Sequence, residues 1–437
     1  MLKNIFIILC FVVLCITSLI AQKSEIPSQV DLSVEQIDSI RKARYERHKI
    51  KVEKEAREKA NKRLEWYSNN ERKDTVKYLN LSHCQLEELP ENIAEFTNTK
   101  RLNLSSNSIN SLKKGLNDLK NLEELSLEDN GSSISKLKLK KNYSIKLLYL
   151  HDNDLKKLPR FVRKFKALEE INLSENSLAK IPSRLKKNKA LKIIQLNDNP
   201  ISKTNNNLRK LDQVESVRLN KCNLNSFPEN LLKMKGLKEI QLAANKISTI
   251  PPDIYRLKQL ESLTFYNNNI SVLPLELFKL SSLHTIDLYH NQIEKIPVEI
   301  NKLSNLKILY LSNNRLFSIP DELSDLSNLE GLYLHHNRLS SLPSGLSDLK
   351  KLKVLHINNN YFTALPSQVL ELSQLEDLDV SNNQISSLPK GLSNLSELRL
   401  LFLQENEIDF EADEHYDLVK SFEEMRRSGT IINMGSE

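Results

Sequence analysis

One interval governs this chain. Asparagine stands at 107, 130, 153, 176, 199, 245, 268, 291, 314, 337, 360, 383 and 406, and cysteine takes the same register at 84 and 222. Every step is 23 residues or twice that across Cys222, so 14 steps from 84 to 406 define 15 repeats without an insertion. A repeat this short cannot bury its own apolar face, and only neighbours stacked in register close a continuous core. The length of 437 residues therefore counts copies and not domains.

Around each anchor an apolar residue falls at −5 and −3, at −8 in every repeat but the one with Thr99, and usually at +2 and +5. Proline follows at +6 in 11 repeats, at 90, 159, 182, 228, 251, 274, 297, 320, 343, 366 and 389, which uses most of the 14 prolines and makes proline a repeat element. Two neighbouring copies, LYLSNNRLFSIP at 309–320 and LYLHHNRLSSLP at 332–343, separate what is held from what varies. The L-x-L alternation predicts a short strand with one face buried, and the leucines after each proline predict a short helix or extended turn on the outside.

The anchor asparagine donates and accepts at once, so Asn107, Asn153, Asn176, Asn245, Asn291, Asn314, Asn337, Asn360 and Asn383 are expected to form an internal ladder between successive turns. Cysteine fits the same buried site as a small, weak donor. Cys84 and Cys222 lie six repeats apart, roughly 29 Å at about 4.8 Å per strand, so they are expected as buried thiols beyond disulfide reach. Two repeats depart from the pattern: EDNGSSISKLKLKK has Ser132 where leucine belongs, and NPISKTNNNLRK has Thr204 and Asn205 in place of Leu-Pro. Local looseness or altered curvature is expected at both.

The repeat LxxLxLxxNxLxxLPxxLxxLxxL over residues 76–408 resembles the leucine-rich repeat superfamily in its 23-residue form. The resemblance implies an α/β leucine-rich-repeat solenoid: a horseshoe of 15 repeats with a parallel concave sheet, short helical or extended convex segments and helical caps. It also implies a binding scaffold, with adhesion and surface recognition common among exported members. The cysteine-rich caps of animal extracellular members are missing, which resembles bacterial members. Cytosolic 23-residue members bind small GTPases, phosphatases or kinases, and an intracellular or membrane-tethered signalling scaffold is the alternative.

Three segments flank the repeats. Residues 1–21 have Lys3, an apolar run from Ile5 and a small residue, Ala21, the layout of a cleaved secretory signal; an uncleaved anchor is the alternative. Residues 22–75 are dense in both charge signs and read as a long helix from Val34 to about Trp66, a lid over the first repeat with Trp66 as plug. Residues 409–437 contain HYDLVKSFEEMRRSG, with Leu418, Phe422 and Met425 on one helical face and Gly429 as a stop: a terminal cap.

The residues at −4 and −2 point away from the core onto the concave sheet. The first half of these columns reads as small and polar. From 266 to 356 rings gather: Tyr266, Tyr289, Tyr310, Tyr333, His335 and His356, with Asp287 among them. Rigid exposed tyrosines offer contact area at small entropic cost, so this patch is the candidate site for a protein or peptide ligand. The competing reading is that neighbouring rings merely cover one another. Sequons such as Asn80-Leu-Ser and Asn172-Leu-Ser would seat glycans on that face in a eukaryotic secretory path, which again favours a bacterial source.

No enzyme is expected: neither a phosphate loop nor a nucleophile motif is present. No cofactor is expected, and no metal, because no cysteine or paired carboxylate completes a set with His335, His356, His290 and His336. The formal charge of +7 requires no nucleic-acid partner. Arg160, Arg163, Lys164, Lys166, Arg184, Lys186, Lys187, Lys189, Lys203, Arg209 and Lys210 load one stretch of the convex side, whereas Asp321, Glu322 and Asp325 follow Pro320. That basic stretch is the place for an anionic surface to rest.

Overall fold

The computed structural model describes residues 75–89, 91–112, 116–201, 211–389, 391–412 and 415–435, together with Trp66 and Asn69. The chain divides into two units, Met1–Glu58 and Lys59–Glu437, and the described residues belong to the second. The expected signal and the charged helix lie outside them, apart from Trp66, which is helical but 59% exposed and so is not a buried plug. Among the described residues no helix is long and apolar enough to cross a membrane.

Each repeat contributes one three-residue strand, and 16 strands form a single sheet in sequence order from β1 (Tyr78–Asn80) to β16 (Ile431–Asn433). Every pairing is parallel and offset by one repeat within the solenoid, as where Leu309 faces Ile286 and Leu332. In the repeat anchored at Asn314, the −8, −5 and −3 leucines, Leu306, Leu309 and Leu311, are buried with Leu316, Ile319, Leu323 and Leu326. This is a leucine-rich-repeat solenoid, with one core running along its axis.

The outer segments are mostly single 3-10 turns. Proline opens many of them because it presets φ and needs no N–H partner, and its carbonyl accepts from the leucine three residues on, as in Leu323 N–H to Pro320 at 3.1 Å. The repeat after Asn130 departs in a built way. Gly131, at φ +67°, starts a 3-10 turn at Ser132–Lys136, which leaves Ser132 exposed and buries Ile134 instead. The Ser133 hydroxyl donates to the Ile109 carbonyl at 2.8 Å, so this segment is ordered and not loose. Most of the second irregular stretch, 202–210, lies outside the described residues.

The asparagine ladder forms as expected. The Asn314 Nδ2 group donates to the carbonyls of Leu288, Leu311 and Ser312, and its Oδ1 accepts from the Ile293 N–H at 3.0 Å. The ladder has a second task that composition does not show. In all 15 repeats the residue before the anchor is left-handed, with φ between 48° and 58°, although none is glycine. Each such residue is unfavourable by roughly 1–2 kcal/mol, and the amide clamps the turn that imposes it.

Cys222 substitutes only half of an asparagine. Its thiol donates to the Leu196 carbonyl at 3.2 Å, in place of Nδ2, but it offers nothing equivalent to Oδ1. The Ile201 N–H, in the position that elsewhere reaches that oxygen, turns instead to Asn199 O at 2.7 Å. Cys84 and Cys222 are both buried thiols, and burial pushes the Cys222 thiol up to about 12. Native protein is expected to leave Cys222 unlabelled by a thiol reagent at pH 8, with labelling appearing on denaturation; rapid native labelling of Cys222, read by peptide mass, would contradict its burial.

Two further features were not evident in the pattern. From Lys100 to Glu261 and again from Lys307 to Glu376 the residue at −7 alternates lysine and glutamate along one rim of the sheet, giving Lys100–Glu123 at 2.9 Å, Lys146–Glu123 at 3.2 Å, Lys238–Glu215 at 3.1 Å, Lys307–Glu330 at 3.3 Å and Lys353–Glu376 at 3.4 Å. Exposed pairs add little stability individually, but a one-repeat slip would set like charges together. The second feature is β16. The cap helix Tyr416–Arg427 buries Leu418, Phe422 and Met425, and Gly429, at φ +106°, turns the chain so that Ile431–Asn433 joins the edge of Leu400–Phe402. Three residues are too few for a periodic signal, and the open edge of the last repeat recruits them.

Candidate functional site

The strands from Ser262 to His356 place their −4 and −2 side chains on the solvent face of the sheet. Their rings make one connected group. Tyr266 and Tyr289 stack at 5.2 Å, Tyr310 and Tyr333 stack at 4.5 Å, and Tyr333 meets His356 edge-on at 5.1 Å. His335 joins the two sets, edge-on to Tyr289 at 5.7 Å and stacked with His356 at 6.3 Å. Tyr289 and His335 are two repeats apart, and Ser312 between them is fully buried.

All seven predicted residues are therefore in one place, and the rings do cover one another: Tyr266 is 39% exposed and the other five are half-buried. The mutual-cover reading and the binding reading thus share a geometry. Cover explains the rigidity of the rings, while their number and continuity still leave a broad aromatic surface facing solvent.

Electrostatics divides the patch. Burial, with His336 and His356 close by, pushes His335 down to about 4. Burial alone raises Asp287, against the Tyr289 N–H that donates to its Oδ1 at 3.0 Å. Burial likewise raises Tyr310 and Tyr333. His335 favours its neutral form more when folded than when unfolded, so its contribution is fully present above the unfolded value near 6.5 and is lost as pH falls from there towards about 4. The solenoid is expected to lose stability over that window more than a His335→Gln variant does, measured by urea melts at pH 7 and pH 4.5; equal losses would remove His335 as the cause.

Besides the −4 and −2 columns, a third column at −6 reaches this face. Asp377 lies in it, with Oδ2 at 3.0 Å from His356 Nε2, though off line for a hydrogen bond. Gly331 lies there too: a Cβ at that position would come within 3.1 Å of the Tyr333 ring, so glycine lets this ring lie down beside its own strand. The strand centres on the leucine at −5, where L-x-L begins, so the residue before it shares the face of the residue after it, and strand parity was the missed signal.

The first half of the face is also less bland than its letters. His151 Nε2 lies 2.7 Å from Glu128, which raises the histidine and lowers the carboxylate. With Tyr149, Glu124, Ser126 and Asn172 the pair lines a hollow of roughly 350 Å³. On the outer side Arg184, Lys186 and Lys187 share the 3-10 turn Ser183–Lys187, and Lys166 donates to the Arg163 carbonyl at 3.0 Å. Lys203, Arg209 and Lys210 lie outside the described residues. Among the described residues no three His, Cys, Asp or Glu side chains are placed to hold a metal.

A leucine-rich repeat region matches over residues 251–358 and 298–431, and a single leucine-rich repeat over 75–96. These matches, together with the solenoid fold, support the leucine-rich repeat superfamily for this chain. Its structure is similar to a leucine-rich repeat protein of Leptospira interrogans, at 28% identity and a TM-score of 0.66, covering 83% of this chain and 96% of that one. It is similar to an internalin from Listeria monocytogenes at 25% identity and a TM-score of 0.58, covering 77% and 87% of the two chains. It is also similar to the ectodomain of a plant membrane receptor kinase from Arabidopsis thaliana, solved in complex with Casparian strip integrity factor 2, at 27% identity and a TM-score of 0.54 over 73% of this chain and 43% of that one. No curated protein sequence matches significantly. Proteins of this superfamily are generally binding scaffolds without enzymatic activity.

Proposed function

We propose that this is an exported, non-enzymatic recognition solenoid that captures a protein or peptide on the ring patch of its concave face. The observation that carries the reading is the unbroken contact of six aromatic and imidazole rings across five consecutive strands, Ser262–Thr264 to Val354–His356. Such a surface is preorganised, so a ligand meets it without ordering the side chains first. A plant relative of 27% identity solved with a bound factor supports a binding role. Export rests on the signal-like residues 1–21, and sequencing the mature N-terminus tests it: a start near Gln22 supports it and an intact Met1 opposes it.

The double variant Tyr310→Ala/Tyr333→Ala is expected to abolish partner capture in a crosslinking pull-down while changing the melting temperature little. The lost stack accounts for only about 1 kcal/mol against the stability of a long solenoid. Undiminished capture by the folded double variant would remove the patch from consideration.

A further inference from the structure

Asp287 has a charge that the fold does not use. Its Oδ1 accepts from the backbone two residues on, at Tyr289, and asparagine performs the same task at Asn80, Asn103 and Asn172, whose Oδ1 atoms accept from Ser82, Ser105 and Ser174 at 3.0, 2.9 and 3.0 Å. A neutral amide therefore suffices for this turn. Among the described residues no lysine, arginine or histidine pairs with Asp287, and the only influences on its titration are burial, which raises it, and that one backbone bond. Keeping a half-buried carboxylate ionised without a counter-ion is unfavourable, and a cation from outside would relieve it.

The surroundings define the cation. Asp287 stands in register with Tyr310 on the next strand, and Tyr333 stacks on Tyr310 from the strand beyond; among the described residues no ring stacks on the face of Tyr310 towards Asp287. Tyr289, two residues on from Asp287, stacks with Tyr266 and flanks it from the −2 column. Across the three solvent-facing columns from Ser262 to Gln404 there are three carboxylates, Asp287, Asp377 and Asp379, and no lysine or arginine, although the whole chain is positive by 7. Asp377 is beside His356, and Asp379 holds the Ser381 hydroxyl at 2.6 Å, so Asp287 is the carboxylate left for a ligand. A planar cation that pairs with a carboxylate while lying on an aromatic face is a guanidinium; an ammonium is compact, more strongly hydrated and lacks the planar fork.

We propose that the patch recognises an arginine side chain of an extended peptide segment, its guanidinium paired with Asp287 and lying between Tyr289 and the face of Tyr310 on the Asp287 side. This rests on the reading of the ring patch as a ligand site and names what that site selects.

The test is a selection of a randomised nonapeptide display library on the full chain, with counter-selection on Tyr310→Ala/Tyr333→Ala. Enriched peptides are expected to share an arginine. Replacing it with citrulline, which keeps the shape and loses the charge, is expected to weaken binding about tenfold or more on the parent protein, and by less than about twofold on Asp287→Asn. Asp287→Asn retains the turn bond, so its folding is not in question. Patch-dependent peptides without a shared arginine, equal binding of citrulline or lysine versions, or an undiminished citrulline effect on Asp287→Asn would overturn the arginine inference and leave the patch standing. A library that yields no patch-dependent peptide would overturn both.

Discussion

Replacing Asn314 by leucine is expected to destabilise the solenoid by about 4 kcal/mol, because it orphans the buried Ile293 N–H, takes one of two donors from each of three carbonyls and forces a larger side chain into a site shaped for an amide. Three carbonyls, of Leu288, Leu311 and Ser312, lose the Nδ2 donor, and the Ile293 N–H loses Oδ1. Asn313, left-handed at φ 54°, also loses the clamp on its turn. Leucine is larger in apolar area, yet that gain cannot satisfy the orphaned Ile293 N–H. Asn314→Cys supplies the informative contrast: a thiol already serves at 222, donating to the Leu196 carbonyl, so this variant is expected to lose only about 2 kcal/mol. Urea midpoints measured on both variants check the order, and a leucine variant as stable as the cysteine one would show that donation, not packing, had been overrated.

Gly236→Ala is the second large effect, and it arises from one atom. A Cβ at this position would stand 2.0 Å from the Asp212 carbonyl oxygen, a backbone group that cannot rotate aside. The expected loss is about 3 kcal/mol, from forced displacement of one turn against the next. Gly345→Ala is the control: there the nearest atoms, Ser324 Cβ and Oγ, are at 3.1 Å, so a shift of a few tenths of an ångström is enough and the loss should stay below about 1 kcal/mol. Equal melting temperatures for the two variants would mean that the Asp212 turn yields easily. Other repeats place serine or asparagine at the equivalent point, as at Ser282, Asn305 and Asn328, so the requirement is local to the turn that follows the irregular stretch after Asn199.

These two variants show different degrees of legibility. The loss at Asn314 follows from the period alone, since an amide recurring every 23 residues in a buried register has few other uses. The clash at Gly236 does not, because it depends on how closely the Leu211–Val214 turn approaches, and no spacing encodes that distance. The patch lies between these cases. Its rings are evident as a column of letters, whereas Asp377 and Gly331 stand before the first leucine of L-x-L, where only strand parity assigns them to the same face.

What the sequence by itself determined is the solenoid: a 23-residue beat of leucine, asparagine and proline admits one register, since shifting any copy by a residue turns its buried face to water. The ladder and the cap helix followed from the same argument, each resting on residues near one another in the chain or repeated at a fixed interval. What only the tertiary structure decided is everything that depends on contact between repeats at the level of side chains. Tyr310 lies flat on Tyr333 because Gly331 leaves room, His335 bridges to Tyr289 over Ser312, and β16 closes an edge left by the last repeat. Periodicity specifies where a side chain starts, whereas the angle at which two rings meet and the counter-ion a carboxylate lacks are set by neighbours 23 or 46 residues away.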